Sequence, residues 1–151
     1  MARILVAYLS GMGTTGQMAD YIAEGVRIAG HEPEVRPISE VATGHDLSGY
    51  DGYIFGCPTY HLDMPQAFES FLQSAEKAGL QGKVGGAFSP RSHPSSGGGG
   101  GAERVFSIME SKLGMRMTDL GPFDVETRVI GGPDGIRACQ EYGKSVARML
   151  G

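Results

Sequence analysis

The sequence is poor in the features that mark a secreted, a disulfide-stabilised or a membrane-spanning protein. Its 151 residues contain no tryptophan and two cysteines, Cys57 and Cys139, which lie far apart and form no C-x-x-C pair. Such sparse cysteines are typical of a reducing compartment, so we expect a cytoplasmic protein. No apolar run approaches the ~20 residues of a transmembrane helix, and no charged-then-apolar leader precedes the first predicted strand, so we expect no membrane insertion.

A strong charge of either sign is also lacking. The formal net charge is −4, and the acidic excess is confined to the first half of the chain. Residues 1–75 contain nine acidic and three basic side chains, whereas residues 76–151 contain eight acidic and ten basic ones. An acidic half disfavours nucleic acid, so we expect no nucleic-acid partner. The length and the hydrophobic content of 40% predict one globular domain over residues 1–151.

Glycine, in contrast, is abundant, and the 25 glycines cluster near the ends of predicted elements. Apolar runs predict strands at residues 3–8, 32–38, 52–57, 83–89 and 115–121. Apolar side chains at helical spacing predict helices between these strands. The alternation of β and α units predicts an α/β protein with a parallel sheet and helices on both faces.

Three segments rich in glycine, serine and threonine follow the first, third and fourth predicted strands. These segments are residues 9–16, 56–63 and 89–101. Because the carboxyl ends of parallel strands share one edge of a sheet, we expect the three segments to lie together there. Ligands of open α/β sheets bind at that edge, so the pattern predicts a ligand site built from these segments.

Residues 9–17 (LSGMGTTGQ) fit three phosphate-binding patterns, two of them poorly. A triphosphate loop requires a lysine and a hydroxyl residue at the positions where this chain has Gln17 and Met18. A dinucleotide loop requires an acidic residue at the end of the second strand. Glu34 is at about the right spacing but lies at the start of that predicted strand, which weakens the dinucleotide interpretation.

The third pattern is a site for a single phosphate group, which needs no cation. Backbone N–H groups at a helix N-terminus bind such an anion, and the hydroxyls of Ser10, Thr14 and Thr15 would add donors. One hydroxyl at this position would also cap the following helix in any protein. A phosphatase-type loop needs a cysteine and an arginine, which residues 9–17 lack, and Cys57 is followed six positions later by Asp63, so we expect Cys57 to be a buried small residue.

Taken together, the three segments resemble those of the flavodoxins. GCPTYHLD (56–63) resembles the second loop of that family, and FSPRSHPSSGGGGG (88–101) stands where the third loop would be. The chain also resembles a related branch, the Trp-repressor-binding-protein-like NAD(P)H:quinone oxidoreductases. The features that carry this resemblance are the glycine run, the GxPTY motif and CQEYGKSVA (139–147). In VAYLSGMGTTGQMADYI (6–22) the positions that match the flavodoxin signature are Ser10, Gly13, Thr15, Ala19 and Ile22, and Ala7 departs from it.

The resemblance implies a flavodoxin-like three-layer sandwich, with a five-stranded parallel sheet in the order 2-1-3-4-5, and FMN held without a covalent bond. It implies a phosphate site at residues 10–15 and a ring site between residues 58–63 and 89–94, without a catalytic side chain or a metal. Tyr60 would stack on the flavin ring, and Ser89 and Ser92 would meet its pyrimidine edge. The implied FMN-binding residues are Ser10, Gly11, Met12, Gly13, Thr14, Thr15, Pro58, Thr59, Tyr60, His61, Leu62, Ser89, Pro90, Arg91, Ser92 and His93.

Three residues depart from the flavodoxin pattern. Met12 replaces a hydroxyl residue of the phosphate loop. His93 is the one aromatic ring available as a second stacker, because residues 89–101 contain no phenylalanine, tyrosine or tryptophan. His61 stands where flavodoxins commonly have a glycine, whose φ > 0 conformation costs little.

The resemblance implies a low-potential electron carrier that shuttles electrons between redox partner proteins, as a monomer or a dimer. The alternatives are an NAD(P)H:quinone oxidoreductase and a flavin-binding module without turnover. The quinone-reducing branch has an extra segment between the fifth strand and the last helix, and residues 121–133 leave only about thirteen residues for it. Arg91 is the sole basic candidate for an NAD(P)H site over the flavin, which favours the carrier.

Overall fold

In the computed structural model, residues 1–9, 14–41, 47–58, 65–91 and 101–151 are described. They form a parallel sheet with helices on both faces. The strands are β1 (Arg3–Tyr8), β2 (Glu32–Pro37), β3 (Gly52–Gly56), β4 (Val84–Arg91), β5 (Arg116–Met117) and β6 (Phe123–Glu126). The described α-helices are α1 (Thr14–Ile28), α2 (Gln66–Glu76), α3 (Gly101–Ser111) and α4 (Pro133–Arg148).

The strand order is β2-β1-β3-β4-β5, with β6 also paired to β4, and every pair is parallel. This order confirms the fold predicted by the resemblance. The prolines of β2, Pro33 and Pro37, lie on an edge strand, where a missing N–H donor is tolerated. Within the described ranges, no helix is long and apolar enough to cross a membrane.

Alternation along the central strands divides the core into two apolar layers. Leu5 and Ala7 of β1 face the layer that contains the buried side chains of α2 and α3. Ile4 and Val6 face the opposite layer, formed with α1 and α4. Because a strand side chain changes face at every residue, a continuous apolar run such as RILVAY is required wherever both faces are covered.

Helices α1 and α4 approach each other closely at two glycines. A Cβ atom added at Gly25 would lie 2.0 Å from the carbonyl oxygen of Gln140, and one added at Gly143 would lie 2.0 Å from that of Ile22. Both neighbours are backbone atoms, which cannot rotate away. Glycine is therefore required at these positions for the two helices to pack on the sheet as they do.

The fifth strand differs from its prediction over residues 115–121. It is split into β5, which pairs with Val84 and Gly85 at the start of β4, and β6, which pairs with residues 88–91 at its end. The Tyr142 hydroxyl of α4 fills the interruption, since it accepts a hydrogen bond from the Ala87 N–H at 3.0 Å and donates one to the Gly121 carbonyl at 2.7 Å. A side chain thus replaces the missing strand partner of β4.

Candidate functional site

The three segments predicted to form the site begin side by side at one edge of the sheet. The Leu9 N–H, just after β1, donates to the Gly56 carbonyl at 2.9 Å. The Cys57 N–H, just after β3, donates to the Phe88 carbonyl of β4 at 3.2 Å. The ends of β1, β3 and β4 are therefore joined by direct backbone hydrogen bonds, and neighbouring parallel strands lie about 4.8 Å apart.

Gly56 permits this close approach at the end of β3. A Cβ atom at this position would lie 2.1 Å from the ring of Phe88, which is fully buried. Any other residue at position 56 would force the buried Phe88 ring to move at the point where the second segment leaves the sheet.

The first turn of α1 provides the described part of the first segment. Thr14 is half-buried and Thr15 is 2% exposed, while Ser10, Gly11, Met12 and Gly13 lie outside the described residues. Helix α1 has no acidic residue in its first turn. A helix N-terminus with hydroxyls and without a carboxylate fits the chemistry of a bound phosphate, because a carboxylate there would repel the anion.

The other described helices begin differently. Acidic residues occupy the first turns of α2, α3 and α4, as Glu69, Glu103 and Asp134. The absence of a carboxylate from the start of α1 therefore distinguishes it from the other described α-helices.

The glycine at position 16 has a packing role. A Cβ atom there would lie 3.2 Å from the ring of Tyr8, the last residue of β1. Gly16 thus lets the first turn of α1 rest on a tyrosine ring. The G-x-G-x-x-G spacing that suggested a dinucleotide loop is explained at its third glycine by this contact.

The position of Glu34 also argues against a dinucleotide site. Glu34 pairs in register with Leu5, three positions before the Tyr8–Pro37 pair at the carboxyl edge. Its carboxylate accepts hydrogen bonds from the Tyr50 hydroxyl, from Arg36 at 2.5 Å and from Arg3 at 3.0 Å.

These hydrogen bonds give the Glu34 carboxylate a structural role within the folded protein. The hydrogen bond from Tyr50 first, and those from Arg36 and Arg3, lower the pKa of the carboxyl, while desolvation opposes them. An acid held in this way is not available to a ribose at the carboxyl edge of the sheet.

The second segment is described only at its beginning. Pro58 is half-buried, and Thr59, Tyr60, His61 and Leu62 lie outside the described residues. Cys57 is fully buried in the layer under α2 and α3. Cys139 is buried too, and its burial raises the pKa of the thiol to about 12, so this thiol stays protonated and inert at neutral pH.

Strand β4 extends two residues beyond its predicted end, into the third segment. Ser89, Pro90 and Arg91 are the last three residues of β4, although the sequence placed only Ser89 in the strand. Ser89 is 1% exposed, and its hydroxyl donates to the Pro90 carbonyl at 3.0 Å. Ser92 and His93 lie outside the described residues.

Arg91, the basic residue considered for an NAD(P)H site, is the last residue of β4 and contacts β6. Its Nε lies 2.8 Å from Oδ1 of Asp124 in β6, and 30% of its side chain is exposed. The Thr127 hydroxyl donates to the Arg91 carbonyl at 3.0 Å. Sequence reasoning missed Asp124 and Thr127, because FDVET is too short and too polar to predict a strand; its apolar residues at positions 123 and 125 were the available signal.

Comparisons with known proteins agree with this geometry. A model of the flavodoxin domain matches residues 5–89, which is more than half of the chain. A protein of Acidovorax ebreus (strain TPSY) named NAD(P)H dehydrogenase (quinone) is 33% identical over 144 residues, which cover 80% of this chain and 70% of the relative. A protein of the same name from Gluconacetobacter diazotrophicus is 28% identical over 190 residues, which cover 100% of this chain and 94% of the relative.

Solved structures share the whole fold. A flavodoxin from the domain Archaea superposes with a TM-score of 0.82 at 22% identity, covering 98% of both chains. Flavodoxin 1 of Bacillus cereus superposes with a TM-score of 0.80 at 25% identity, covering 99% of this chain and 100% of the other. A flavodoxin, WrbA-like protein from Agrobacterium tumefaciens has a TM-score of 0.80 at 22% identity, covering 99% of this chain and 97% of the other.

Proposed function

Because the chain belongs to the flavodoxin domain family, we propose that it binds FMN and carries electrons between redox partner proteins. The observation that supports this most is the alignment of the ends of β1, β3 and β4 by the hydrogen bonds Leu9–Gly56 and Cys57–Phe88. This alignment brings together the starts of the three segments to which the FMN contacts are assigned. FMN bound there would supply reversible electron transfer at its isoalloxazine ring.

Different residues of the chain are assigned to the phosphate, the ring and the pyrimidine edge of FMN. The hydroxyls of Thr14 and Thr15 and the N-terminal N–H groups of α1 would bind the phosphate, together with residues 10–13. Tyr60 would stack on the flavin ring. The backbone around Ser89 and Ser92 would meet the pyrimidine edge.

The charge distribution supports a low reduction potential. Residues 1–75, which supply two of the three segments, carry nine acidic and three basic side chains. Negative charge disfavours the anionic form of reduced flavin, so it lowers the potential of the bound cofactor. The same charge would steer a basic redox partner toward this part of the molecule.

An NAD(P)H:quinone oxidoreductase is the second candidate, and the names of the relatives favour it. Two observations favour the carrier instead. The alignment with the Gluconacetobacter diazotrophicus relative runs over 190 positions against 151 residues here, so about 39 positions of that enzyme have no counterpart. Moreover, Arg91, the basic residue considered for NAD(P)H, forms an ion pair with Asp124.

Titration of the apoprotein with flavins tests the proposed cofactor. FMN should bind and give a yellow protein, whereas riboflavin, which lacks the phosphate, should bind at least tenfold more weakly, because a phosphate makes several hydrogen bonds that are each worth roughly 1.5–3 kcal/mol. Isothermal titration calorimetry and flavin fluorescence measure both constants. Equal affinities for the two flavins would overturn the phosphate site at α1.

Two further assays separate carrier, enzyme and passive binder. The FMN-loaded protein should show little steady-state NAD(P)H oxidation with a quinone, but it should be reduced by a ferredoxin reductase and reoxidised by an electron acceptor. Sustained quinone-dependent turnover would establish the enzyme in its place. A protein that binds FMN and exchanges electrons in neither assay would be the flavin-binding module without turnover.

A further inference from the structure

Strand β6 runs beside the last four residues of β4 and beside no other strand in the described structure. Its register pairs Phe123 with Phe88 and Glu126 with Arg91. Three of these four β4 residues, Ser89, Pro90 and Arg91, are the start of the third segment of the proposed FMN site. The position of β6 therefore controls where the chain leaves the sheet toward the cofactor.

Two side-chain contacts from β6 and the turn after it hold the end of β4. The Asp124 carboxylate lies 2.8 Å from Nε of Arg91, and the Thr127 hydroxyl donates to the Arg91 carbonyl at 3.0 Å. Asp124 thus holds the side chain of Arg91, the last residue of β4, and Thr127 holds its backbone.

Strand β6 is itself well anchored, so it can serve as a support. Val125 is 7% exposed and packs in the layer under α1 and α4. The ring of Phe123 stacks on the ring of Tyr142, with centroids 4.8 Å apart and planes at 13°. Asp124, in contrast, has a side chain that is 50% exposed, so its replacement should leave the core intact.

We propose that Asp124 and Thr127 are positioning residues of the FMN site, which act through Arg91. This inference rests on the proposed FMN function. Asp124 holds the guanidinium of Arg91 and balances its positive charge at the edge where the flavin becomes anionic on reduction. Thr127 holds the Arg91 carbonyl and so sets the direction in which the chain enters the third segment.

The two charges of the pair predict potential shifts of opposite sign. Asp124→Asn removes a negative charge beside Arg91, which favours the anionic reduced flavin and raises the midpoint potential. Arg91→Gln removes that positive charge and lowers the midpoint potential. The double variant should lie between the two, and its shift should differ from the sum of the single shifts, because residues in contact couple.

Thr127→Val changes no charge, so its effect is separate. It should weaken FMN binding by about fivefold, the change that the loss of one hydrogen bond produces in an equilibrium constant. In a chain that carries Thr127→Val, the midpoint-potential shifts of Asp124→Asn and Arg91→Gln should keep their signs. In the apoprotein, Asp124→Asn and Thr127→Val should both accelerate amide hydrogen exchange in peptides that cover β4.

The ion pair Lys144–Glu141 on α4 supplies matched controls. Its atoms are 2.9 Å apart, and it lies in the second half of the helix, away from the carboxyl edge. Lys144→Gln and Glu141→Gln repeat the two charge changes and should alter neither the FMN affinity, the midpoint potential nor the exchange of β4.

Potentiometric titration, FMN binding and hydrogen exchange, measured on the full chain, decide the outcome. Opposite shifts for Asp124→Asn and Arg91→Gln, with silent controls, support the inference. Unchanged potentials and affinities in the Asp124, Arg91 and Thr127 variants overturn it, while FMN binding by the wild-type chain keeps the proposed function. A wild-type chain that takes up no FMN overturns both.

Discussion

Thr15 lies in the first turn of α1 with 2% of its surface exposed. A buried hydroxyl at a helix N-terminus can serve the helix as a cap or serve a ligand as a donor. Helix α1 has no carboxylate in its first turn, which leaves this end free of a charge that would oppose an anion. The two roles of Thr15 can be distinguished by the FMN affinity of a nearly isosteric variant that lacks the hydroxyl.

Thr15→Val removes the hydroxyl and keeps the volume. We expect the affinity for FMN to fall by at least tenfold, because a charge-assisted hydrogen bond to the phosphate is worth roughly 1.5–3 kcal/mol. Riboflavin affinity should stay unchanged, and Thr15→Ser, which retains the hydroxyl, should restore most of the FMN affinity. If Thr15→Val binds FMN as the wild type does, the hydroxyl acts only as a helix cap.

Tyr142 is a second residue whose role depends on one oxygen atom. Its hydroxyl joins the Ala87 N–H to the Gly121 carbonyl, and its side chain is 1% exposed. Tyr142→Phe would leave the buried Ala87 N–H without this partner. We therefore expect the free energy of unfolding, measured in urea, to fall by about 1–3 kcal/mol. Tyr21→Phe is the control, because the hydroxyl of Tyr21 accepts an exposed hydrogen bond of 3.3 Å from Gln17. Equal stability of the two variants would show that the bridge adds nothing.

At the scale of elements, the contact between α1 and α4 depends on glycine. Gly143→Ala would place a Cβ atom 2.0 Å from the Ile22 carbonyl oxygen, so the helices must separate. We expect a net destabilisation on the order of 1–3 kcal/mol, typical of overpacking, despite the ~1 kcal/mol that alanine gains in helix propensity.

The matched control for this prediction is Gly132→Ala. Gly132 has φ −87°, which any residue adopts, and its added Cβ atom would lie 3.5 Å from the Val129 carbonyl oxygen, which is an ordinary van der Waals contact. Because Gly132 is the N-cap of α4, where alanine is less favourable than glycine, its free energy of unfolding should fall by at most about 1 kcal/mol. Urea unfolding of both variants measures the difference, and a Gly143→Ala protein as stable as Gly132→Ala would refute the close helix contact.

At the scale of the whole molecule, the cluster around Glu34 makes stability depend on pH. Burial first, and the hydrogen bond to Glu34, raise the pKa of Tyr50 to about 12 from 10.0, while the same hydrogen bond lowers the pKa of Glu34. The raised pKa of Tyr50 stabilises the fold below pH 10, and this contribution is lost as the pH rises through about 12. The lowered pKa of Glu34 stabilises the fold above about 4.5, and this contribution is lost in more acidic solution.

We therefore expect the urea midpoint to be flat near neutral pH and to fall from about pH 9, where the unfolded Cys139 thiol ionises, to pH 12. Tyr50→Phe should be less stable at pH 7 and should show a shallower alkaline decline. Part of the decline should remain in this variant, because burial also raises the pKa of Tyr53, Tyr142 and Cys139. Urea titrations over this pH range measure the slopes. An alkaline decline as steep in Tyr50→Phe as in the wild type would exclude Tyr50 as its source.

Local patterns in the sequence were sufficient for most of the architecture, and they assign the proposed site to the carboxyl ends of β1, β3 and β4. Within RILVAY, residues 4–7 are buried on both faces of the sheet, and the prolines of the second strand lie on an edge, where missing N–H donors are tolerated. The segments rich in glycine and hydroxyl residues follow β1, β3 and β4. These features depend on short-range periodicity and on the chemistry of single residues, which can be read without knowing the neighbours in space.

Only the tertiary structure decided how the outer edge of the sheet is completed. The split of the fifth strand depends on the Tyr142 hydroxyl, which reaches Ala87 across 55 positions of the chain. The contact of Arg91 with Asp124 depends on the register of β6, and the need for Gly143 depends on the backbone of α1. A hydrogen bond or a clash between distant residues leaves no periodic trace in the sequence, because it requires no particular spacing between them.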